Sequence, residues 1–353
     1  MMKTTVLVKL DERDPDLSRL REIVRGARQG KVVGFPTETV YGIGLPMSVA
    51  GAQATLAGLK KRESDKPFAW HIGELDMLDA LKIKPTPEFR YLMRHFWPGP
   101  VTLLAAGKDG QKVGLRFPRN RLATALFNAC GEPFVATSAN MSGAKSPRTA
   151  EEVMTQLGGQ IDYLIDGGPT EIGQDSTIVD MTTPVPVILR AAAMAKEVEA
   201  AVKKIESGNF PRKRILVVCT GNSCRSPMAA GWLTAELRRK NLADKIEVIS
   251  CGIGARTGAT ATSEAVLVMK NREVDISAHR SRPCSRQDIM DADLIIAMGP
   301  EHYTFITGLV PAAREKIKMI GIPDPIGMGM MIYEEVILSI EKKLREAWKD
   351  IVA

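Results

Sequence analysis

The sequence predicts an α/β protein of two domains, an N-terminal mixed, twisted sheet with helices around it and a C-terminal doubly wound parallel sheet. Three observations carry this expectation. The chain has 353 residues, more than a single core usually organises. From residue 214 onward, short apolar strands alternate regularly with helical stretches, which implies right-handed βαβ units. Before residue 207 strands and helices follow in irregular order, and the polar, basic run Ser-Gly-Asn-Phe-Pro-Arg-Lys-Arg from Ser207 suits a linker. The expected division is 1–207, a linker at 208–213, and 214–353.

In the first domain Leu17, Leu20, Ile23, Val24 and Ala27 recur at helical spacing behind Asp14-Pro15, a helix start, and KVVGF (31–35) then reads as a buried strand. Further strands are expected at VTLLAA (101–106), VGLRF (113–117), PFVATS (133–138) and STIVDM (176–181), with helices over 74–96, 121–130, 149–157 and 195–207. In the second domain the expected strands are RILVVC (214–219), IEVIS (246–250), DLIIAM (293–298) and KIKMI (316–320). Helices are expected over 227–240, 261–272 and 300–308. Tyr333, Val336, Ile337, Ile340 and Leu344 then share one face of a long C-terminal helix, which should pack on the sheet. The two halves show no common repeat.

Composition narrows the function classes. Hydrophobic residues make up 44% and charged residues 25%, which excludes disordered and fibrous readings. The five cysteines are odd in number and widely spread, unlike a disulfide framework, so a reducing compartment is expected. TTVLVKL lacks the apolar region and cleavage site of a signal peptide, and no uncharged apolar run reaches membrane-spanning length. A cytoplasmic protein without membrane contact is the expectation. The net charge of +7 favours anionic partners: nucleotides, phosphorylated side chains or, weakly, RNA. Aromatic content of 5% argues against a stacking platform for RNA.

The run V-V-C-T-G-N-S-C-R-S-P-M-A places Cys219 at the end of a buried strand and Arg225 where a helix begins. A strand-loop-helix turn aims backbone N–H groups and the positive helix end at one anion. The same field is expected to depress the pKa of Cys219 and supply a thiolate nucleophile. Arg225 can meet two phosphoryl oxygens with its planar fork. Gly221 permits the bend, and Pro227 fits the first helical turn.

This loop strongly resembles that of the low-molecular-weight protein phosphatases, Cys-x-Gly-Asn-x-Cys-Arg-Ser-Pro. SCGIGA (250–255), SAHRSR (277–282), DADLIIAM (291–298) and PDPIGMG (323–329) extend the resemblance over about 213–353. It implies that Cys219 forms a phosphocysteine, Arg225 binds the phosphoryl group and Ser226 steadies the thiolate. Asp324 would protonate the leaving group and then activate water, with no cofactor. Asn222 and His279 would support the loop, and Cys224 would be a reversible disulfide partner of Cys219. Thioredoxin-coupled arsenate reductases share CTGNSCRS but need further redox cysteines downstream, and DADLIIAMGPEHY carries none. Phosphorylated proteins are the expected substrates. Ile326 stands where tyrosine-directed enzymes usually carry an aromatic residue, and small Ser223 resembles the threonine of the phosphoarginine branch, so both substrates stay open.

Four segments stand out in the first half: PTETVYG (36–42), KKRESDKPFAWHI (60–72), TSANMSG (137–143) and DGGPTEIGQDSTIVD (166–180). Lys60 and Arg62 can converge on a polyphosphate at a helix end. Ser138 and Asn140, two apart in extended geometry, can hydrogen-bond a ligand at a sheet edge, and Thr37 and Thr39 repeat that spacing. The sequence has no Walker or Rossmann fingerprint and no Cys/His metal cluster. From the residues alone this is an anion-binding α/β domain with a polar cleft.

These segments, in this order, resemble the YrdC-like threonylcarbamoyl-AMP synthases over about 10–205. The resemblance implies synthesis of threonylcarbamoyl-adenylate from ATP, L-threonine and bicarbonate, with magnesium accompanying ATP and the product passed to tRNA-modifying transferase proteins. It implies that Lys60, Arg62, Lys66, Asn140 and Arg190 lie along ATP, and that Thr37, His71, Arg116, Ser138 and Ser176 surround threonine and its carbamate. Ala191-Ala192 replaces the usual Pro-Gly after Arg190, and Lys61-Arg62-Glu63 replaces Gly-Arg-Pro. The expected function is a bifunctional enzyme; the alternative is an active phosphatase fused to a non-catalytic nucleotide- or RNA-binding module.

Overall fold

The computed structural model describes residues 4–61, 68–107 and 110–352. The chain divides into two compact units between Gly208 and Asn209, and each is taken by itself. Among the described residues, no helix is long and apolar enough to cross a membrane.

The N-terminal unit is built on ten strands: β1 Val6–Lys9, β2 Val33–Phe35, β3 Gly42–Pro46, β4 Ala69–His71, β5 Val101–Ala106, β6 Lys112–Arg116, β7 Phe134–Ser138, β8 Tyr163–Asp166, β9 Thr177–Asp180 and β10 Val187–Arg190. Their order in one sheet is β1-β8-β2-β3-β7-β4-β6-β5-β9-β10. The sheet is mixed: β4 runs parallel to β6 and β5 to β9, whereas β3 and β4 both pair antiparallel with β7. The helix Leu17–Arg28 forms where its apolar spacing places it, its N-terminus capped by the Asp16 carboxylate. The single helix expected over 74–96 is two, Met77–Ala80 and Pro87–Phe96. Pro85 and Pro87 break the first, and the Thr86 hydroxyl with Pro87 starts the second. The strand β3, GIGLP, was masked by residues of poor strand propensity; at Gly44 a Cβ would meet Val135 O at 2.8 Å, so the close approach of β7 requires glycine.

The C-terminal unit has four strands, β11 Lys213–Cys219, β12 Ile246–Gly252, β13 Leu294–Ala297 and β14 Ile317–Met319, all parallel in the order β12-β11-β13-β14. Side chains alternate along β11. Ile215, Val217 and Cys219 join the core under the helices Arg225–Arg239, Ser263–Lys270 and Met330–Glu346. Leu216 and Val218 join the opposite core, with the helices Arg286–Asp291 and Pro300–Leu309. The expected apolar face of the last helix is buried as Tyr333, Val336, Ile337, Ile340 and Leu344. The helix Arg286–Asp291 was not anticipated; Ser285 and Asp288 close a capping box around its start.

Because the chain leaves β11 toward β12 on one side and later adds β13 on the other, the carboxyl end of β11 is a topological switch point, where a crevice opens. Cys219 ends that strand. The loop after it lies against Gly252 of β12, where a Cβ would stand 2.5 Å from Thr220 O and 2.8 Å from Asn222 N. Both are backbone atoms that cannot swing aside. Gly252→Ala is therefore expected to displace the loop and lower affinity for inorganic phosphate by about tenfold or more, which isothermal titration reads directly; unchanged affinity would mean that β12 does not set the loop.

Candidate active sites

In the C-terminal unit the loop folds around Cys219 Sγ. The Ser226 hydroxyl is 2.9 Å away and the Asn222 backbone N–H donates to the sulfur at 3.2 Å. Asn222 adopts the left-handed conformation, with φ of 53°, and every polar group of its side chain is used to hold it there. Its Nδ2 donates to Ser226 Oγ at 2.8 Å and to Ser250 Oγ at 3.0 Å, and its Oδ1 accepts from the Arg282 N–H at 3.0 Å. His279 Nε2 donates to the Asn222 carbonyl at 2.7 Å. The structure thus brings Asn222, Ser226 and His279 to one frame around the sulfur.

Arg225, the first residue of the following helix, is 3% exposed. Its Nη1 donates to Ile322 O at 3.2 Å, its Nη2 to Thr220 Oγ1 at 3.2 Å, and the same Nη2 pairs closely with Asp324. Its Nε is buried without a hydrogen-bond partner among the described residues, a donor available to an incoming anion. Glu301 stands 3.9 Å from Nη1. Cys224 Sγ faces Tyr333 OH at 3.2 Å and Thr262 Oγ1 at 3.5 Å. Cys219 and Cys224 are both free thiols.

The expected depression of the Cys219 pKa is corrected here. Burial of the sulfur is the largest influence and pushes the thiol up; the Ser226 side chain, the Ser226 and Asn222 backbone bonds and the Arg225 charge all pull down without overcoming it. Sequence spacing displays the donors but cannot weigh desolvation against them.

In the N-terminal unit the site residues line one cleft of about 370 Å³. At one end Lys60, last residue of the helix Ala52–Lys60, donates to Ser138 O at 2.7 Å, Ser138 Oγ at 3.2 Å and Asn140 Oδ1 at 3.1 Å. Ser138 Oγ in turn donates to Asn140 Oδ1 at 2.6 Å. Toward the other end His71 ends β4 and pairs in register with Phe134 and Arg116. Phe134 lies four residues from Ser138 along β7, roughly 13 Å. Arg116 Nη2 donates to Thr39 Oγ1 at 2.6 Å, Glu38 Oε1 at 2.9 Å and Thr37 Oγ1 at 3.4 Å. The Thr37 and Thr39 hydroxyls also touch each other at 2.8 Å. Arg116 Nε is buried without a hydrogen-bond partner among the described residues. Burial, then the Arg116 charge, lowers the His71 pKa to about 3, so its ring is neutral. Arg190 donates from Nε to Ser176 O at 2.9 Å and from Nη2 to Ser176 Oγ at 3.1 Å. The two residues that the resemblance assigns to different substrates are thus bonded to each other. Arg62 and Lys66 lie outside the described residues.

The cleft and the layer behind its Arg116 contain groups that sequence reasoning missed. Glu38, 3% exposed, sits within PTETVYG; its Oε1 accepts from Arg116, 78 residues away, and its Oε2 from the Arg119 N–H at 3.0 Å. Thr102 bonds Ser176 at 2.9 Å, and Asp175 pairs with Arg190 at 3.7 Å and accepts from Ser146 at 2.9 Å. Asp175 is the single carboxylate among the described lining residues, and no group of three or more His, Cys, Asp or Glu among the described residues stands together as a metal site. The donors do not fit a resident magnesium ion, which favours several oxygens at close range.

Residues 26–192 match the Sua5/YciO/YrdC family model, described as telomere recombination, and residues 214–352 match that of the low molecular weight phosphotyrosine protein phosphatases. A putative threonylcarbamoyl-AMP synthase of Mycobacterium tuberculosis is 33% identical over 209 residues, covering 56% of this chain and 95% of that protein. The chain belongs to the threonylcarbamoyl-AMP synthase family and carries a C-terminal low molecular weight phosphatase domain. The Bacillus subtilis synthase is 37% identical to this family member over 209 residues, covering 56% of the chain and 59% of its own length. The chain thus spans about three fifths of that longer relative. The solved structure of the Pyrococcus abyssi protein Sua5 complexed with L-threonine aligns over 90% of the chain and all of its own, at 25% identity and a TM-score of 0.54.

A pH prediction follows for the phosphatase domain. The Arg225 charge lowers the Cys219 pKa, and Asp324 neutralises Arg225. Asp324→Asn removes the carboxylate, so the thiolate is better stabilised and its pKa falls. The midpoint pH of inactivation by iodoacetamide should move to lower pH by roughly half a unit or more; no shift, or a rise, would mean that Asp324 does not offset Arg225.

Proposed function

We propose that this chain is a bifunctional enzyme, with a threonylcarbamoyl-adenylate synthase in its first domain and a phosphocysteine phosphatase in its second. The observation that carries it is that each cleft holds a buried arginine whose Nε has no hydrogen-bond partner among the described residues, beside polar side chains gathered at strand ends.

In the synthase domain the carbamate oxygen of N-carboxythreonine attacks the α-phosphorus of ATP and pyrophosphate leaves. Lys60, Asn140 and Arg190 lie along the nucleotide, while Thr37, His71, Arg116, Ser138 and Ser176 surround the amino acid and its carbamate. Neutral His71 offers an acceptor, since its Nδ1 stands 3.3 Å from Ala69 O and carries the proton there. Positioning and positive charge contribute most of the catalysis. Magnesium arrives on the triphosphate as part of the substrate, and the adenylate passes to tRNA-modifying transferases. Pyrophosphate release that requires ATP, threonine and bicarbonate together would test the reading, and Lys60→Ala should lower it at least about a hundredfold. Release that does not need threonine would contradict the synthase reading, and no release at all would favour a binding module.

In the phosphatase domain the Cys219 thiolate attacks phosphorus, the S–P bond forms, and the bond to the leaving atom breaks as Asp324, turned from Arg225, delivers a proton there. Water then attacks the phosphocysteine, Asp324 takes the water's proton, and the thiolate departs, steadied by Ser226. Asn222 and His279 hold the loop, and Cys224 is the thiol that can protect Cys219 as a reversible disulfide. Phosphoproteins are the substrates, carrying phosphotyrosine or phosphoarginine: Ile326, 57% exposed beside Asp324, supplies no ring for stacking a phosphotyrosine. Cys219→Ser should abolish phosphate release from every substrate. Asp324→Asn should lose most turnover on phosphoarginine and phosphotyrosine peptides but far less on p-nitrophenyl phosphate, whose leaving group needs little protonation; equal loss on all three would withdraw Asp324 as the acid.

A further inference from the structure

Thr220, next in the chain to Cys219, has no part in the chemistry described above, yet Arg225 leans on it. Arg225 Nη2 donates to Thr220 Oγ1 at 3.2 Å, and Thr220 Oγ1 lies 3.1 Å from His302 Nε2. A guanidinium carries donors only, so Thr220 is the acceptor in the first contact.

The second contact can be assigned from the other side of the imidazole. His302 is fully buried on the helix Pro300–Leu309, and its Nδ1 stands 3.3 Å from Glu301 Oε1. A bare nitrogen lone pair facing a carboxylate oxygen at that distance would be repulsive, so the proton sits on Nδ1. Burial, with help from Arg225, holds the ring below the usual histidine pKa against the opposing pull of Glu301 and Asp324, and the ring is neutral. Nδ1 makes no hydrogen bond of good geometry among the described residues, but the carboxylate oxygen beside it favours a proton there over a lone pair; Nε2 is then an acceptor, and the Thr220 hydroxyl points its proton at it. The hydrogen bonds run in one direction, from Arg225 to Thr220 to His302.

Asp324 competes for the same Nη2. To protonate a leaving atom, Asp324 must turn from Arg225, and at that moment the guanidinium loses its strongest holder. On the phosphatase reading above, we propose that Thr220 and His302 form a positioning pair that keeps Arg225 aimed at the phosphoryl group when Asp324 leaves it. The pair is suited to this because it is neutral: it orients the guanidinium without adding a counter-charge of its own to compete with the phosphoryl oxygens.

The test uses the full chain and two readouts, affinity for inorganic phosphate and kcat/KM on p-nitrophenyl phosphate, with Tm measured alongside. Thr220→Val, close in shape but without the hydroxyl, should weaken phosphate binding about tenfold and lower kcat/KM by about ten- to a hundredfold, the size of a lost hydrogen bond to a charged group. Thr220→Ser, which keeps the hydroxyl, should recover kcat/KM to within about threefold. His302→Leu should match Thr220→Val, and the double variant should be no worse than either single one, because both break one chain of bonds. If His302→Leu proves unstable, the valine and serine variants decide the matter alone. Thr220→Val within threefold of wild type, or losses that simply multiply in the double variant, would overturn the positioning pair while leaving the phosphatase reading intact. A wild-type protein that neither binds phosphate nor hydrolyses p-nitrophenyl phosphate would overturn both.

Discussion

Both clefts depend on a guanidinium taken out of water and neutralised where it stands. A buried charge is tolerated only when paired and hydrogen-bonded. Arg116 meets Glu38, and Arg225 meets Asp324. In each case the pairing is incomplete, since the Nε remains a buried donor without a partner among the described residues. The protein keeps these sites folded with internal carboxylates, and an anionic substrate is the natural completion of the set. The two carboxylates differ in exposure: Glu38 is sealed with its arginine, whereas Asp324 is 38% exposed. Glu38 is placed to remain a fixed counter-charge; Asp324 is placed to move.

The sheets set where these arginines stand. In the synthase domain Arg116 ends β6, His71 ends β4 and Ser138 ends β7, so the cleft is assembled from neighbouring strands whose own backbone bonds are already satisfied. In the phosphatase domain one strand end and one helix start suffice, because β11 lies at the switch point and the loop beyond it is folded back on Gly252. That difference explains why the second site is compact in sequence and the first is scattered.

It also explains what could be read in advance. Cys219, Asn222, Arg225 and Ser226 lie within eight consecutive residues, and one strand-loop-helix turn brings them together whatever the rest of the fold does. The doubly wound sheet was equally legible, because its central strands β11 and β13 contain the apolar runs ILVVC and LIIA, and strands alternate with helices throughout that unit. Glu38 was hidden because its partner is 78 residues away, and a carboxylate inside a Pro- and Thr-rich strand end reads as surface. The strand β3 was hidden by the glycines that its neighbour β7 requires. His302 met Thr220 across 82 residues, a contact that no local pattern announces. The sign of the Cys219 shift could not be read because it depends on the depth of the sulfur, which spacing does not encode.

The central claim is that two chemistries reside in this one chain, each on its own buried arginine. It is tested by measuring both activities on single preparations of wild type, Arg116→Ala and Arg225→Ala, with pyrophosphate release from ATP, threonine and bicarbonate read beside phosphate release from p-nitrophenyl phosphate. Wild type should perform both reactions, Arg116→Ala should lose the first alone, and Arg225→Ala the second alone. A wild type that performs only one reaction, or an Arg116→Ala protein that still makes the adenylate at full rate, would contradict the account.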